Sequence, residues 1–212
     1  MTSTIASTIL QNTYRTELDS GRVIIFMFEG CGSNDSTSMR YNATCVVVGK
    51  LNGADTILFE CDNCSTIPDC PKDPSKNKGT DMPTLKTGTH TVYTTNHLSE
   101  YASLNVRNAP VVRFDGEDST GYDDVSYGIN IHRRYSNNLS TNSAGCLLIG
   151  DLSNNYSEYT NFLRAVGVIS STDTYNRLVT SGIKKGLLVV DRSKAGAYLS
   201  LIYGSEGASK VD

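Results

Sequence analysis

Apolar residues in this chain come in short runs, and most runs are β-branched or alternate with polar neighbours. Residues 22–28 (RVIIFMF), six of them consecutive apolar residues after Arg22, read as a buried strand by length and β-branched content. A breaker-rich loop follows from Gly30 to Ser38. Residues 42–48 and 56–60 flank Asn52-Gly53. An Asn-Gly pair between strand signals predicts a hairpin, because both central residues of a type I′ turn need positive φ. Strand signals resume at 89–93, 103–107 and 111–114. Residues 127–132 (YGINIH) alternate, and 144–149 (AGCLLI) form a buried apolar run. Two segments carry no period and read as loops: 61–82, rich in Cys, Pro, Lys and Asp, and 115–126, acidic with glycines. A loop longer than about 12–15 residues in a compact domain is often functional or disordered.

Helical spacing comes late. Tyr156, Tyr159, Phe162, Leu163 and Val166 predict a helix over 156–168, with Ser153 or Asn154 as its cap. Residues 173–180 suggest a second short helix, and 187–190 and 197–203 suggest a closing pair of strands. Residues 5–18 have a weak pattern, either a short helix or a loose arm. The expected organisation is an N-terminal arm over 1–20 and a single domain over 21–212. The expected fold is mainly β and sandwich-like, with one or two short helices near the C-terminus.

A chain of 212 residues suits one domain or two small ones and can bury a core without disulfides or metal. Nineteen Lys and Arg against 22 Asp and Glu give a net charge of −3, which argues against a phosphate-tracking nucleic-acid binder. No apolar run approaches the roughly 20 residues needed to span a bilayer. The first ten residues carry no Lys or Arg ahead of a short apolar stretch, so they do not read as a secretory signal. Twelve Tyr with no Trp suggest either a polar groove lined for carbohydrate or peptide, or a bias of composition.

The segment that carries chemistry runs from Gly128-Ile-Asn-Ile-His132, through a polar loop, to Ser143-Ala-Gly-Cys146. A thiol titrates near about 8.5, so a nucleophilic cysteine needs an imidazole to take or share its proton. Adjacent strand ends can bring His132 and Cys146 together across the loop. Gly145 permits close backbone approach, and the Cys146 amide can face a developing oxyanion. The alternative is a small buried core cysteine.

This segment resembles the signature of the L,D-transpeptidase catalytic domain family (YkuD-like), a His followed by a variable loop and Ser/Thr-x-Gly-Cys. Residues 65–69 (STIPD) and 82–93 (MPTLKTGTHTVY) resemble that family's upstream segments, in the family's order. The likeness covers about residues 40–150. Three features depart from the family: the fourteen positions from His132 to Cys146 are few, Leu147-Leu148 replaces the usual polar follower, and Arg133 follows the His. The resemblance implies Cys146 as nucleophile, His132 as general base and then acid, and Ser143 and Gly145 shaping an oxyanion pocket. Arg133 is a candidate for a substrate carboxylate, or a solvated loop charge. The implied reaction is attack on a carbonyl of a peptidoglycan stem peptide through a thioester acyl-enzyme, with hydrolysis favoured over transpeptidation. No cofactor is implied. The implied partner is the stem peptide, with neither nucleic acid nor a membrane span. Without a leader, the expected setting is the bacterial cell wall, reached by export, injection or phage lysis. The alternative is a non-catalytic wall-binding module on the same fold.

Cys31, Cys45, Cys61, Cys64 and Cys70 crowd the first third of the chain. Cys61-x-x-Cys64 with Cys70 invites zinc, with Cys31, Cys45, His90 or His97 as a fourth ligand. Disulfides are the alternative in an exported protein. His90 and His97 read as structural. Asp115, Glu117, Asp118, Asp123 and Asp124 lack an EF-hand arrangement and read as a solvated loop.

Overall fold

The β-branched and alternating runs build eleven strands among the described residues, all but three of them in one wrapped sheet. The computed structural model describes residues 12–32, 42–68, 83–114, 121–134, 143, 145–150 and 156–212. In chain order the elements are α1 (Asn12–Asp19), β1 (Val23–Glu29), β2 (Ala43–Leu51), β3 (Ala54–Cys64), β4 (Thr84–Leu85), β5 (Gly88–His97), β6 (Tyr101–Val106) and β7 (Ala109–Arg113). There follow β8 (Tyr122–Ser126), β9 (Ile129–Arg133), β10 (Leu147–Ile149), α2 (Ser157–Ala165), β11 (Lys184–Asp191) and α3 (Gly196–Val211). Strand makes up 47% and helix 18%, so the fold is mainly β, as the pattern predicts.

The large sheet runs β10-β9-β6-β5-β11-β1-β2-β3, and β4-β7-β8 form a second sheet. The large sheet curls until its ends meet: Ser65, just past β3, exchanges two backbone hydrogen bonds with Leu148 of β10, at 2.9 and 3.0 Å. The result is a nearly closed barrel. Two of its pairings, β1–β11 and β9–β10, are parallel.

Alternation sets what lies inside. Ile25 and Met27 of β1 join Val47, Val92, Leu104, Ile131, Leu147 and Leu188 in the main core. Ile24 and Phe26 face outward, yet they are buried beneath Tyr14 and Leu18 of α1 with Val46 and Val48. Both faces of β1 are covered, which is why its sequence is an unbroken apolar run. Residues 12–19 are therefore a docked helix rather than a loose arm.

The Asn52-Gly53 hairpin forms with both residues at positive φ, 52° and 83°. Elsewhere the structure departs from the sequence pattern. β3 continues through Cys64, and β8 lies within the expected 115–126 loop. β8 is a strand with four exposed residues, tied to its neighbours by ion pairs Arg113–Asp124 (2.7 Å) and Lys86–Asp123 (2.8 Å). A polar sequence suffices there because only one of its five residues is buried. Residues 173–180 form turns instead of a helix. Asn96 holds both the amide and the carbonyl of Val179, and Thr94 takes the carbonyl of Thr180. Residues 197–203 belong to helix α3, not a strand. A short apolar run does not by itself distinguish the two. Here Leu199 and Tyr203 pack with Ile67, Val112 and Phe114 in a separate cluster, and the helix kinks at Gly204 (φ 74°). α2 begins at Tyr156, in the left-handed region with no side-chain cap, while Ser153 and Asn154 lie outside the described residues.

Candidate functional site

The site lies at one end of the barrel, where β9 and β10 run side by side. Their register pairs Leu147 with Ile131 and Leu148 with His132. Ile129 and Ile131 point into the core, so Asn130 and His132 occupy the opposite face. Cys146 immediately precedes β10 and lies beside Asn130.

The thiol of Cys146 is partly exposed. It accepts a hydrogen bond from the Asn130 backbone N–H at 3.4 Å and donates to the Gly128 carbonyl at 3.5 Å. It thereby stands in for the next rung of the β9–β10 ladder. Among the described residues these bonds go to backbone and not to an imidazole. With burial unopposed by a nearby cation, the thiol is pushed up to about 11.

His132 is 2% exposed. Its Nδ1 faces the Arg133 carbonyl at 2.7 Å. A carbonyl only accepts, so Nδ1 carries the proton and Nε2 carries the lone pair. Burial first, and then the neighbouring His97, push its pKa down to about 3, so the ring stays neutral at physiological pH. His97, at the end of β5, stacks on it with centroids 4.2 Å apart. The Nδ1 of His97 lies 3.2 Å from the Asn130 side-chain amide. Three side chains thus meet, Asn130, His97 and His132, with the Cys146 sulfur bonded to the Asn130 backbone beside them. His97 and Asn130 are not singled out by the motif. The one sequence signal for Asn130 is the alternation of 127–132, which puts it on the face of His132.

The remaining motif residues have structural partners. The Ser143 hydroxyl donates to the Cys146 carbonyl at 2.6 Å and fixes the turn that presents the thiol. Gly145 has φ 122°, and a Cβ there would come within 2.7 Å of the Pro83 ring and carbonyl. The close approach it permits is to Pro83. The guanidinium of Arg133 sits over three aromatic rings, Tyr156 at 4.2 Å, Tyr101 at 4.9 Å and Tyr175 at 5.4 Å. It is neither a solvated loop charge nor extended from the surface. Four of the twelve tyrosines, Tyr14, Tyr101, Tyr159 and Tyr203, are buried in the apolar clusters.

The early cysteines form a different cluster. Cys45 and Cys61 are cross-strand partners on β2 and β3, and the thiol of Cys64 touches both. All three are buried free thiols. The hydrogen bond that Cys61 donates to Cys64, and then burial, raise Cys61; burial raises Cys64. Among the described residues no group of three or more His, Cys, Asp or Glu is arranged to hold a metal ion. Cys70 lies outside the described residues, as do Asp115, Glu117 and Asp118. His90 is buried, with Nε2 at 2.9 Å from the Lys86 carbonyl. Among the described residues no helix is long and apolar enough to cross a membrane.

No protein-family model, no curated protein and no solved structure matches the chain.

Proposed function

We propose that this protein is a cysteine-dependent enzyme of peptidoglycan, resembling the L,D-transpeptidases. In this reading Cys146 attacks a stem-peptide carbonyl and His132 serves as its general base. The observation that carries the proposal is the tautomer of His132. The Arg133 carbonyl accepts a hydrogen bond from Nδ1, which puts the ring lone pair at Nε2, on the strand adjacent to that of the thiol. Orientation by a backbone carbonyl supplies what an acidic third member does in a Ser-His-Asp triad.

The pKa values set the order of events. A thiol near about 11 and an imidazole near about 3 do not form an ion pair at rest. Rotation of the Cys146 side chain out of the β9 ladder brings sulfur onto the face of His132. Proton transfer to Nε2 then accompanies formation of the C–S bond instead of preceding it. The imidazolium returns that proton to the departing amine, leaving a thioester. Water resolves it to the acid; an amine acceptor would give a cross-link. Hydrolysis is the favoured outcome, and the cell wall, reached by export, injection or phage lysis, is the proposed setting.

Incubation with purified sacculi and mass analysis of the released muropeptides tests this reading. We expect shortened stems with the wild type and none with Cys146→Ala, whose thermal melt stays close to wild type. Equal turnover by both proteins overturns it.

A second reading has its own support. The backbone satisfies the thiol, and Leu148 occupies the register position beside His132, which suits a non-catalytic wall-binding module. Co-sedimentation with sacculi whose muropeptides stay unchanged would identify it.

A further inference from the structure

The outer face of the sheet continues away from Cys146 in a row set by register. Asn130 on β9 pairs with Asn105 on β6, which pairs with Tyr93 on β5. Val92 and Val106 point into the core, so Tyr93, Asn105 and the next outward residue, Arg107, share the exposed side. Asn105 binds the row together: its side-chain amide donates to the Ile129 carbonyl and the Asn130 side chain, both at 3.0 Å. At the far end the row opens into a groove of about 650 Å³ lined by Thr89, His90, Thr91, Tyr93, Arg107 and Asn108, among others. That volume is in the range of small-molecule sites.

The lining is hydroxyl-rich and carries a single full positive charge. None of the residues lining the groove is acidic. The Arg107 guanidinium is held over the Tyr93 ring at 4.5 Å, yet the residue stays exposed and pairs with no carboxylate among the described residues. Several other surface cations are taken up by carboxylates: Arg15, Arg22, Lys50, Lys86, Arg113 and Lys184 each have an ion-pair partner. Stacking on an aromatic ring orients a guanidinium without consuming its hydrogen-bond fork, which then suits a carboxylate.

We propose that this groove is a substrate subsite in which Arg107, oriented by Tyr93, binds a carboxylate of the peptide whose carbonyl Cys146 attacks. The inference rests on the enzymatic reading above. The spacing fits it: two interstrand steps of about 4.8 Å separate β6 from β10, with about 7 Å along the strand, roughly 12 Å in all. Three to four residues of extended peptide cover that span at about 3.3–3.6 Å each. Asn130 and Asn105 lie along that path, and the groove's threonine and tyrosine hydroxyls lie beyond it on β5.

Calorimetric titration separates this subsite from the chemistry. The probes are a disaccharide-tetrapeptide muropeptide with free carboxyls and the same muropeptide amidated at them. We expect wild type to favour the free acid by roughly tenfold, the usual weight of a charge-assisted pair. Arg107→Gln should abolish the preference and Arg107→Glu should invert it, both with unchanged thermal melts. Equal binding of the two probes by wild type, no binding of either, or a preference that survives Arg107→Gln overturns the subsite. Sacculus turnover by wild type is scored separately. Turnover without a carboxylate preference removes the subsite and keeps the enzyme. A preference without turnover keeps binding at Arg107 and removes the chemistry.

Discussion

Residue by residue, the candidate site holds a neutral imidazole and a thiol whose proton burial retains. His132 makes that testable without substrate. Its unfolded imidazole takes up a proton near the usual 6.5, whereas the folded one does so only near about 3. Above about pH 6.5 both states are neutral and stability is complete. Between those values only the unfolded chain binds the proton, so stability falls as pH falls, by roughly 4–5 kcal/mol if carried to the folded value. Burial pushes His90 and His97 down as well, so they act in the same direction. Denaturant midpoints measured from pH 7 to pH 4 should therefore drop, and drop less steeply in His132→Gln. Parallel slopes would mean that the ring is solvated. That His132 lies near the end of one strand and Cys146 just before the next was legible in sequence, from the alternation of 127–132 and the apolar run 144–149. The roles of Ser143, Gly145 and Arg133 were not. Their partners are the Cys146 carbonyl, Pro83 and three tyrosines, and only the fold determines which side chains those residues meet.

Among the elements, β11 depends on one position. Gly186 has φ 154°, and a Cβ there would lie 1.8 Å from the Val23 carbonyl oxygen of β1. It sits where the pairing of β11 with β5 shifts register, between Lys184 and Gly186. Glycine within a strand often marks such a bulge or a close backbone approach. Gly186→Ala must push β1 and β11 apart, and we expect a loss of about 3 kcal/mol or more in unfolding free energy, whereas Gly53→Ala, in an open turn, should cost about 1. Chemical denaturation of the two variants checks the order. Strands with strong patterns, β1, β2 and β5 among them, were readable within a few residues. Those that failed share a cause. β8 is an edge held by ion pairs, and residues 173–180 are held by Asn96 and Thr94 of a distant strand. The run 197–203 is a helix because it buries Leu199 and Tyr203 on the second cluster. In each the deciding partner is a side chain on another element, of which local periodicity carries no record.

At the scale of the whole molecule, the barrel, the second sheet and the C-terminal helix are joined by Arg192, a fully buried arginine. Its guanidinium donates to the Thr66 carbonyl (2.9 Å), the Leu85 carbonyl (2.8 Å) and the Val211 carbonyl (2.9 Å). Its Nε donates to the Thr66 hydroxyl at 3.0 Å, which in turn donates to buried Glu29 at 2.6 Å. Removing one member of such a network leaves the other polar groups buried without their bonds, so Arg192→Ala should cost about 3–5 kcal/mol. A two-step melt, with α3 released first, would instead show that the pieces are held independently. The order of the strands has a consequence for synthesis. β11 lies between β5 and β1, yet residues 98–183 separate it from the nearer of the two in sequence. Until residue 191 has left the ribosome, β1 and β5 each keep a bare edge that nothing made earlier is shaped to cover. Such edges recruit other chains. A nascent protein in this state depends on chaperones for most of its translation, and a stall before residue 184 leaves a product that aggregates instead of a smaller barrel.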